Sequence, residues 1–380
     1  MQRRGSWRIA GPVALAMLVG ACSGAATPAP TTAPVTGAST APTVVPTIGP
    51  TSWTGRTLKV ASWGGDWGAG AKASSGTLFE AQTGAKVEYS LGNPSDNITK
   101  LLAAPAGDPP FDVMQVDSLT ELTMIQKGLI DKVDHTKLPL ADLFTQAEFT
   151  KDYGPAFTLV PVVITWLPAK FKELGLPDPT SFDDLLNPAL KGKIAYPGMA
   201  VGFSPLIIAG LANAWFGDKA KVGDAMDKLK TAAPRIYAAT PELTTWLTNK
   251  EVYVAVTHTA TVQAMKNQGF DLGMVYPKAG TFKSMVYWNT VEVIHGTKNA
   301  DMASKWLQIN LGCDAQRLFG LRNGVLPTCK AVSAEFATDP KLKTISVTVE
   351  EMAAMYQVDP DFINSNREAW NALWNQKMSN

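Results

Sequence analysis

Residues 157–166 read Phe-Thr-Leu-Val-Pro-Val-Val-Ile-Thr-Trp, a long apolar run that is rich in β-branched side chains. Such a composition favours a β-strand. A second apolar run, residues 284–294, lies more than a hundred residues further along the chain. We expect the first run to leave one lobe and enter another, which makes it a hinge candidate, and the second run to bring the chain back.

Strand and helix patterns alternate before the first crossing. The apolar periodicity predicts strands over residues 56–63, 86–90 and 111–116, and helices over 69–82 and 94–104. Ser118 and Glu121 have the spacing of a capping box, which predicts a helix that begins at Ser118. This alternation is typical of a βαβ lobe with a largely parallel sheet.

The same alternation recurs after the first crossing. It predicts strands over residues 193–196 and 251–257, and helices over 205–215, 219–232, 261–268, 301–318, 349–356 and 365–376. We therefore predict an α/β clamp of two lobes, each a mixed, mostly parallel sheet flanked by helices, with a cleft at the carboxyl ends of the strands. The predicted boundaries are 54–160 for lobe 1, 161–286 for lobe 2, 287–330 for the return to lobe 1, and 331–380 for C-terminal helices that pack on lobe 2.

The N-terminus has the pattern of a bacterial export signal. Arg3, Arg4 and Arg8 precede an apolar stretch over residues 9–19, which ends in Val-Gly-Ala-Cys at residues 19–22. A membrane-spanning helix needs about 20 apolar residues, so cleavage after residue 21 is favoured. Lipid attachment to Cys22 is then expected; the alternative is an ordinary secretory peptide with an incidental cysteine. Both place the protein outside the cytoplasm.

Residues 22–53 are predicted to be an extended linker, because they are rich in Thr, Pro and Ala and residues 23–52 carry no charge. Removal of the three signal arginines changes the formal charge from +1 to −2, without a basic run that could follow a phosphate backbone. Nucleic acid is therefore excluded as a partner. No cysteine and histidine spacing indicates a metal site. Cys313 and Cys329 are either a disulfide or two buried thiols.

Four short segments carry a family resemblance. They are Leu-Lys-Val-Ala-Ser-Trp-Gly-Gly (58–65), Asn-Pro-Ala-Leu-Lys-Gly-Lys-Ile (187–194), Pro-Lys-Ala-Gly (277–280) and Gly-Thr-Lys-Asn-Ala (296–300). With the export signal, they resemble extracellular solute-binding lipoproteins of ABC importers, nearest to the spermidine/putrescine-binding branch. The resemblance implies a type II periplasmic-binding-protein fold and a monomer that binds a small solute without a cofactor. It also implies that the closed form docks on membrane permease subunits.

The candidate ligand-binding residues follow predicted strand ends. They are Trp63, Gly64, Gly65, Trp67, Asp117, Ser118, Phe203, Ser204, His258, Thr259, Tyr287 and Asn289. The glycines permit close approach of a ligand, and one of the two tryptophans is expected to pack into the core. Asp117 is expected to meet a cationic or hydroxyl group if Ser118 caps the helix, or else to be a cap itself. Tyr287 and Trp288 point to opposite faces of a strand, so only one can line the cleft.

The chain also departs from the polyamine-binding branch. Those relatives place carboxylates where this chain has Gly198, Met199 and Asn289, which argues against a polyamine because a buried ammonium needs a paired acid. A monocationic or zwitterionic amine, an amino-acid derivative or a neutral polar molecule fits better. Two alternatives to a transport protein are an enzyme on the same fold that uses a thiol nucleophile, and a sensory lipoprotein with the same cleft.

Overall fold

The computed structural model describes residues 52–378, except residues 106, 149, 281, 341, 344 and 358. The predicted signal peptide, Cys22 and nearly all of the predicted linker lie outside the described residues. The described part has the predicted α/β fold, in which helices flank a curled mixed sheet. None of its helices combines the length and the apolar character that crossing a membrane requires.

The first part of the chain alternates strand and helix. Its elements are β1 (Thr57–Ser62), α1 (Gly65–Ala71), α2 (Thr77–Thr83), β2 (Lys86–Leu91), α3 (Pro94–Ala103), β3 (Val113–Asp117) and α4 (Ser118–Gln126). Strand β1 pairs in parallel with β2 on one side and with β3 on the other. The carboxyl ends of these strands therefore lie at one edge of the sheet.

The long strand β4 (Ala156–Trp166) is buried along its whole length and carries the chain into the second part. The elements that follow are α5 (Pro168–Glu173), β5 (Ile194–Pro197), α6 (Ser204–Phe216), α7 (Val222–Lys230), β6 (Arg235–Tyr237), α8 (Thr240–Thr248), β7 (Val254–His258), α9 (Thr259–Asn267), β8 (Gly273–Val275), β9 (Lys278–Ala279) and β10 (Phe282–Lys283). Strand β5 pairs in parallel with β6 and with β7.

The second crossing strand begins the last part of the chain. Its elements are β11 (Met285–Val293), α10 (Ala300–Leu311), α11 (Cys313–Asn323), β12 (Leu326–Pro327), α12 (Lys330–Thr338), α13 (Val349–Ala353), β13 (Tyr356–Gln357) and α14 (Pro360–Met378). Strand β11 runs antiparallel to β3 and to β4.

Strand β4 is shared by the two halves of the sheet. The strand order is β2-β1-β3-β11-β4-β7-β5-β6. The first half of β4 pairs with β11 as far as Pro161, and the second half pairs with β7 from Val162 onward. Pro161 lacks an amide hydrogen, so it stands where the strand changes partners. We call the β2-β1-β3-β11 side lobe 1 and the β7-β5-β6 side lobe 2.

Each lobe has a hydrophobic cluster, and a further cluster contains residues of both lobes, such as Ala71 of α1 and Tyr237 of β6. In lobe 1, Leu58 and Val60 pack with Phe79 and Trp306. In lobe 2, Tyr196 and several residues of α6 and α7 pack with Trp374 of α14. Helix α14 contacts α6 and α7 and also α4 of lobe 1, whereas α12 contacts α11 and β12. The C-terminal helices thus divide between the two sides.

Several local predictions differ from the structure, and three of them concern the helices described next. The glycine-rich segment after β1 is the first turn of helix α1, which begins at Gly65 rather than near residue 69. The predicted helix 301–318 is two helices, because Gly312 has an extended backbone between α10 and α11. The predicted helix 349–356 ends at Ala353, and Tyr356 then pairs with β11 as part of β13.

Candidate functional site

A cleft of about 1680 Å³ lies where the carboxyl ends of the strands of both lobes meet. Nine of the twelve candidate ligand-binding residues line it: Trp63, Gly64, Gly65, Trp67, Asp117, Phe203, His258, Tyr287 and Asn289. They come from both lobes, and two of them, Tyr287 and Asn289, belong to the crossing strand β11 of lobe 1. The topology therefore brings together residues that lie more than two hundred positions apart in the sequence.

Trp63 and Trp67 form the wall of the cleft on the side of lobe 1. Their rings meet edge to face with centroids 5.1 Å apart, and Trp67 also packs on Phe319, 4.9 Å away. Trp67 is thus partly a core residue. A Cβ atom added at Gly64 or Gly65 would meet no atom within 4 Å, and Gly65 has a φ of +61° that favours glycine. The backbone is open to the cleft at this turn.

Asp117 both lines the cleft and caps α4. Its Oδ1 accepts hydrogen bonds from the backbone amides of Leu119 (3.1 Å) and Thr120 (3.0 Å), and its Oδ2 accepts one from the Thr120 hydroxyl at 2.8 Å. The prediction that Ser118 is the cap is therefore wrong. Ser118 is the first residue of the helix, is buried, and does not line the cleft. Most of the hydrogen-bonding capacity of the Asp117 carboxylate is used within the protein.

Three rings from lobe 2 and the crossing strand form an aromatic group in the cleft. The Phe203 ring stacks on that of Tyr287 at 5.8 Å and meets His258 edge to face at 5.3 Å. Burial lowers the pKa of His258 to about 4, so its imidazole is neutral near pH 7. The His258 Nε2 lies 3.3 Å from the Thr261 hydroxyl, and no described residue hydrogen-bonds to its Nδ1. A neutral ring nitrogen is thus left for another partner.

Two further candidates do not reach the cleft. Ser204 is fully buried, and its hydroxyl donates a hydrogen bond to the Pro197 carbonyl at 2.8 Å, where it supports the start of α6. Thr259 is fully buried in the first turn of α9. Both residues follow strand ends, but a residue next to a strand end can also point inward beneath the start of the helix. Their assignment as lining residues is wrong.

Strand β11 presents alternate side chains to the cleft. Tyr287 and Asn289 line it, whereas Trp288 points away and is buried in the core. Asn289 pairs with Asp117 across the two antiparallel strands, so the two side chains are neighbours at the base of the cleft. The Asn289 side chain is 2% exposed, and its Oδ1 has no hydrogen-bond partner among the described residues.

Sequence reasoning missed the lining residues that come from helices. They include Thr240, Thr244, Thr245 and Thr248 on α8, Arg322 and Asn323 at the end of α11, and Arg367 on α14. Helix α8 was not predicted. The helix α14 was predicted, but which of its residues reach the cleft depends on how it docks on α4, α6 and α7. A periodic pattern of apolar residues identifies the buried face of a helix, but it does not identify the element that packs against that face.

The described cysteines are not available for chemistry. Cys313 and Cys329 form a disulfide with their Cα atoms 5.5 Å apart, and neither lines the cleft. Within the described ranges, no group of three or more His, Cys, Asp or Glu side chains is arranged to hold a metal ion. The polar groups that face the cleft can form hydrogen bonds and ion pairs with a bound molecule.

Structures of known proteins share this fold. An ABC transporter protein of Clostridium perfringens is 23% identical over 85% of this chain and 100% of its own, with a TM-score of 0.70. An extracellular solute-binding protein of Bordetella parapertussis is 18% identical over 86% and 99%, with a TM-score of 0.71. The periplasmic binding protein MotA of A. tumefaciens B6, solved with glucopine, is 15% identical over 85% and 100%, with a TM-score of 0.69.

The sequence itself matches a family model. No curated protein sequence matches the chain significantly. The model described as bacterial extracellular solute-binding protein matches residues 77–344, which is most of the described chain. Members of that family bind solutes and are not enzymes. The chain belongs to the family of bacterial extracellular solute-binding proteins.

Proposed function

We propose that this protein is the solute-binding component of an ABC importer. It captures a small polar organic solute between its two lobes and delivers it to permease subunits in the membrane. The observation that carries the proposal is the cleft. Both lobes contribute residues to it, and β4 runs from one lobe into the other. A solute that contacts both walls would stabilise the arrangement in which they are close.

The size of the cleft supports capture by closure. Pockets that hold a small molecule usually measure about 300–1,000 Å³. The cleft is larger than that range at about 1680 Å³. A small solute would therefore leave much of the space filled with water unless the lobes approach each other. Closure would remove that water and strengthen the polar contacts.

The lining favours an amino-acid derivative or a similar polar organic molecule. Trp63, Phe203 and Tyr287 offer ring faces to the body of a solute, and His258 and Asn289 offer hydrogen-bonding groups. A polyamine is disfavoured, because the carboxylate of Asp117 already accepts three hydrogen bonds.

The cellular placement follows from the sequence alone. We propose that Cys22 is lipidated after cleavage of residues 1–21, and that the linker holds a monomer outside the cytoplasm at the membrane. A sensory lipoprotein would use the same cleft with another membrane partner. A thiol enzyme is not proposed, because Cys313 and Cys329 are bonded to each other. Co-purification with permease subunits would distinguish transport from sensing.

Native mass spectrometry of the freshly purified protein tests the proposal. We expect one solute molecule bound per chain, and calorimetry with that solute should show about tenfold weaker binding for Trp63→Ala. Trp246→Ala is the matched control, because Trp246 packs on Arg235 at 4.1 Å and does not line the cleft. A protein that binds no solute, or equal losses in both variants, would contradict the proposal.

A further inference from the structure

Arg367 is a cationic residue on the buried face of the C-terminal helix. The buried residues of α14 are Ile363, Trp370, Trp374 and Met378. Arg367 follows Ile363 by four positions and precedes Trp370 by three, so it lies on the same face of the helix. Arg367 itself is half-buried, and a cation that is partly removed from water is stabilised by a partner.

No described residue is that partner. The Arg367 Nε is shielded from solvent without a hydrogen bond, and no described carboxylate lies within ion-pair distance of its guanidinium. Arg56, Arg235 and Arg317 each form a salt bridge at 2.5–2.9 Å. The two described arginines without one, Arg322 and Arg367, are the two that line the cleft.

The position of Arg367 relative to lobe 1 is set by its own helix. One turn earlier, the Asn364 side-chain amide donates a hydrogen bond to the Leu119 carbonyl at 3.0 Å. The start of α14 therefore rests against the start of α4, next to Asp117 at the base of the cleft. Arg367 comes from a helix that also packs on α6 and α7 of lobe 2.

A second buried group in the cleft also lacks a partner. Asn289 is 2% exposed, lines the cleft, and makes no side-chain hydrogen bond with any described residue through Oδ1. Buried carboxamides are normally hydrogen-bonded, so an unpaired one in a cleft indicates a ligand. The unpaired atom, Oδ1, can only accept a hydrogen bond, so it fits a hydroxyl or ammonium group of the solute and not its oxyanion.

No acidic residue of the described lining forms an ion pair with these cations. Asp117 is engaged by Leu119 and Thr120, and Asp66 is exposed in the first turn of α1. The described lining contains no lysine, and His258 is neutral. An anionic group that enters the cleft would therefore find guanidinium groups that have no other partner.

We propose that the cleft binds a solute that carries an oxyanion, a carboxylate or a phosphate, and that Arg367 binds this group. The inference rests on the proposed function and specifies its solute class. The planar guanidinium matches both anions with two parallel hydrogen bonds. A zwitterionic amino-acid derivative fits this site, whereas a simple monocation does not.

The first experiment identifies the anion. The purified protein is freed of solute by unfolding and refolding, and is then mixed with an extract of the producing cells supplemented with glutarate, 5-aminopentanoate, glucose 6-phosphate, glucose, pentylamine and putrescine. Native mass spectrometry should find a retained solute with a carboxylate or a phosphate, and its identity decides between the two. Retention of a neutral or purely cationic solute would overturn the inference and leave the proposed function standing. A protein that retains nothing contradicts the proposed function itself.

The second experiment tests the residue with the retained solute as ligand. Arg367→Gln should bind it about 10- to 100-fold more weakly, which is the loss of one charge-assisted interaction, and Arg367→Lys should bind with intermediate affinity. Arg317→Gln is the matched control, because Arg317 pairs with Asp314 and Glu335 and does not line the cleft. Unchanged affinity in Arg367→Gln would overturn the assignment.

A third measurement needs no ligand. If Arg367 binds a ligand and does not support the fold, Arg367→Met should leave the unfolding temperature of the solute-free protein unchanged or higher, because it removes a half-buried charge that has no partner among the described residues. A lower unfolding temperature would mean that Arg367 supports the fold, and would overturn the proposal.

Discussion

Asp117 stands where β3 ends and α4 begins, beside another residue that favours the same position. Asp and Ser are both good N-cap residues, so the local sequence allowed either Asp117 or Ser118 to cap α4. The structure extends β3 one residue beyond the predicted apolar run, and Asp117 still pairs with Asn289 of β11. Strand pairing therefore decides which residue is the cap.

We predict that Asp117→Ala lowers the free energy of unfolding by about 1 kcal/mol, the usual value of an N-cap side chain. Asp117→Asn should keep most of that stability, because Asn can accept the same backbone hydrogen bonds. Ser118→Ala is the matched control and should cost less, since Ser118 lies inside the helix. Urea unfolding measures all three; a larger loss for Ser118→Ala would contradict the structure.

Two buried glutamates face each other within lobe 1. Glu121 of α4 accepts a hydrogen bond from the Thr150 hydroxyl, and Glu292 of β11 accepts one from the Gly154 amide at 3.0 Å. Both side chains are fully buried. Burial raises the pKa of Glu292 to about 7, and burial together with the charge of Glu292 raises the pKa of Glu121. The raised pKa values favour the protonated forms of these two carboxyl groups in the folded protein.

We predict that Glu292→Gln gains stability relative to the wild type as the pH rises from about 4.5 to 7. Over that range the unfolded chain releases the Glu292 proton, whereas the folded protein retains it, so the wild type becomes less stable. Gln resembles the protonated acid and does not titrate. The difference between the two unfolding free energies should grow to about 3 kcal/mol at most. A difference that is constant between pH 5 and 8 would contradict the raised pKa.

At the scale of elements, a disulfide joins α11 to α12. Cys313 is the first residue of α11, and Cys329 is the N-cap residue of α12. The segment that the disulfide closes contains α11 and β12, and β12 pairs with β4 through Leu326 and Pro327. The bond thus holds one edge of the shared strand in place. Its sequence separation is 16 residues.

We predict that the double variant Cys313→Ser, Cys329→Ser loses about 3 kcal/mol of stability, as expected for a closed loop of this length. Solute affinity should change less than twofold, because neither residue lines the cleft. Denaturant unfolding and calorimetry measure the two effects separately. Weaker binding without a loss of stability would show that this edge of β4 takes part in the site.

The whole molecule is organised around a single continuous strand. The sheet is unbroken through β4, yet a cleft remains between the lobes because the two halves of β4 pair with different partners. Pro161 marks the change of partner, and the Ser284 hydroxyl donates a hydrogen bond to the carbonyl of the next residue, Val162. These residues are the place where a change of angle between the lobes would be absorbed.

We predict that binding of the solute lowers the radius of gyration measured by small-angle X-ray scattering. The physical reason is that the solute stabilises the arrangement in which both walls contact it. The Trp63→Ala variant, examined at the same solute concentration, should show a smaller change because it binds more weakly. Unchanged scattering from a protein saturated with solute would contradict a closing clamp.

The sequence by itself determined the alternation of strands and helices, the two crossing strands and most of the residues at the strand ends. These features depend on local periodicity and on β-branched runs, which neighbouring residues encode. It also offered the correct alternatives for Asp117 and for the cysteine pair, without deciding between them.

Only the tertiary structure decided which helices reach the cleft. Arg322, Arg367 and the threonines of α8 line it because of how their helices dock, and Ser204 and Thr259 point inward although they follow strand ends. Docking depends on the packing of distant side chains, such as Trp374 on Tyr196, whose rings are stacked 6.0 Å apart. A contact between residues that are 178 positions apart leaves no signal in the local sequence. Which charged residues line the cleft therefore depends on the folded structure.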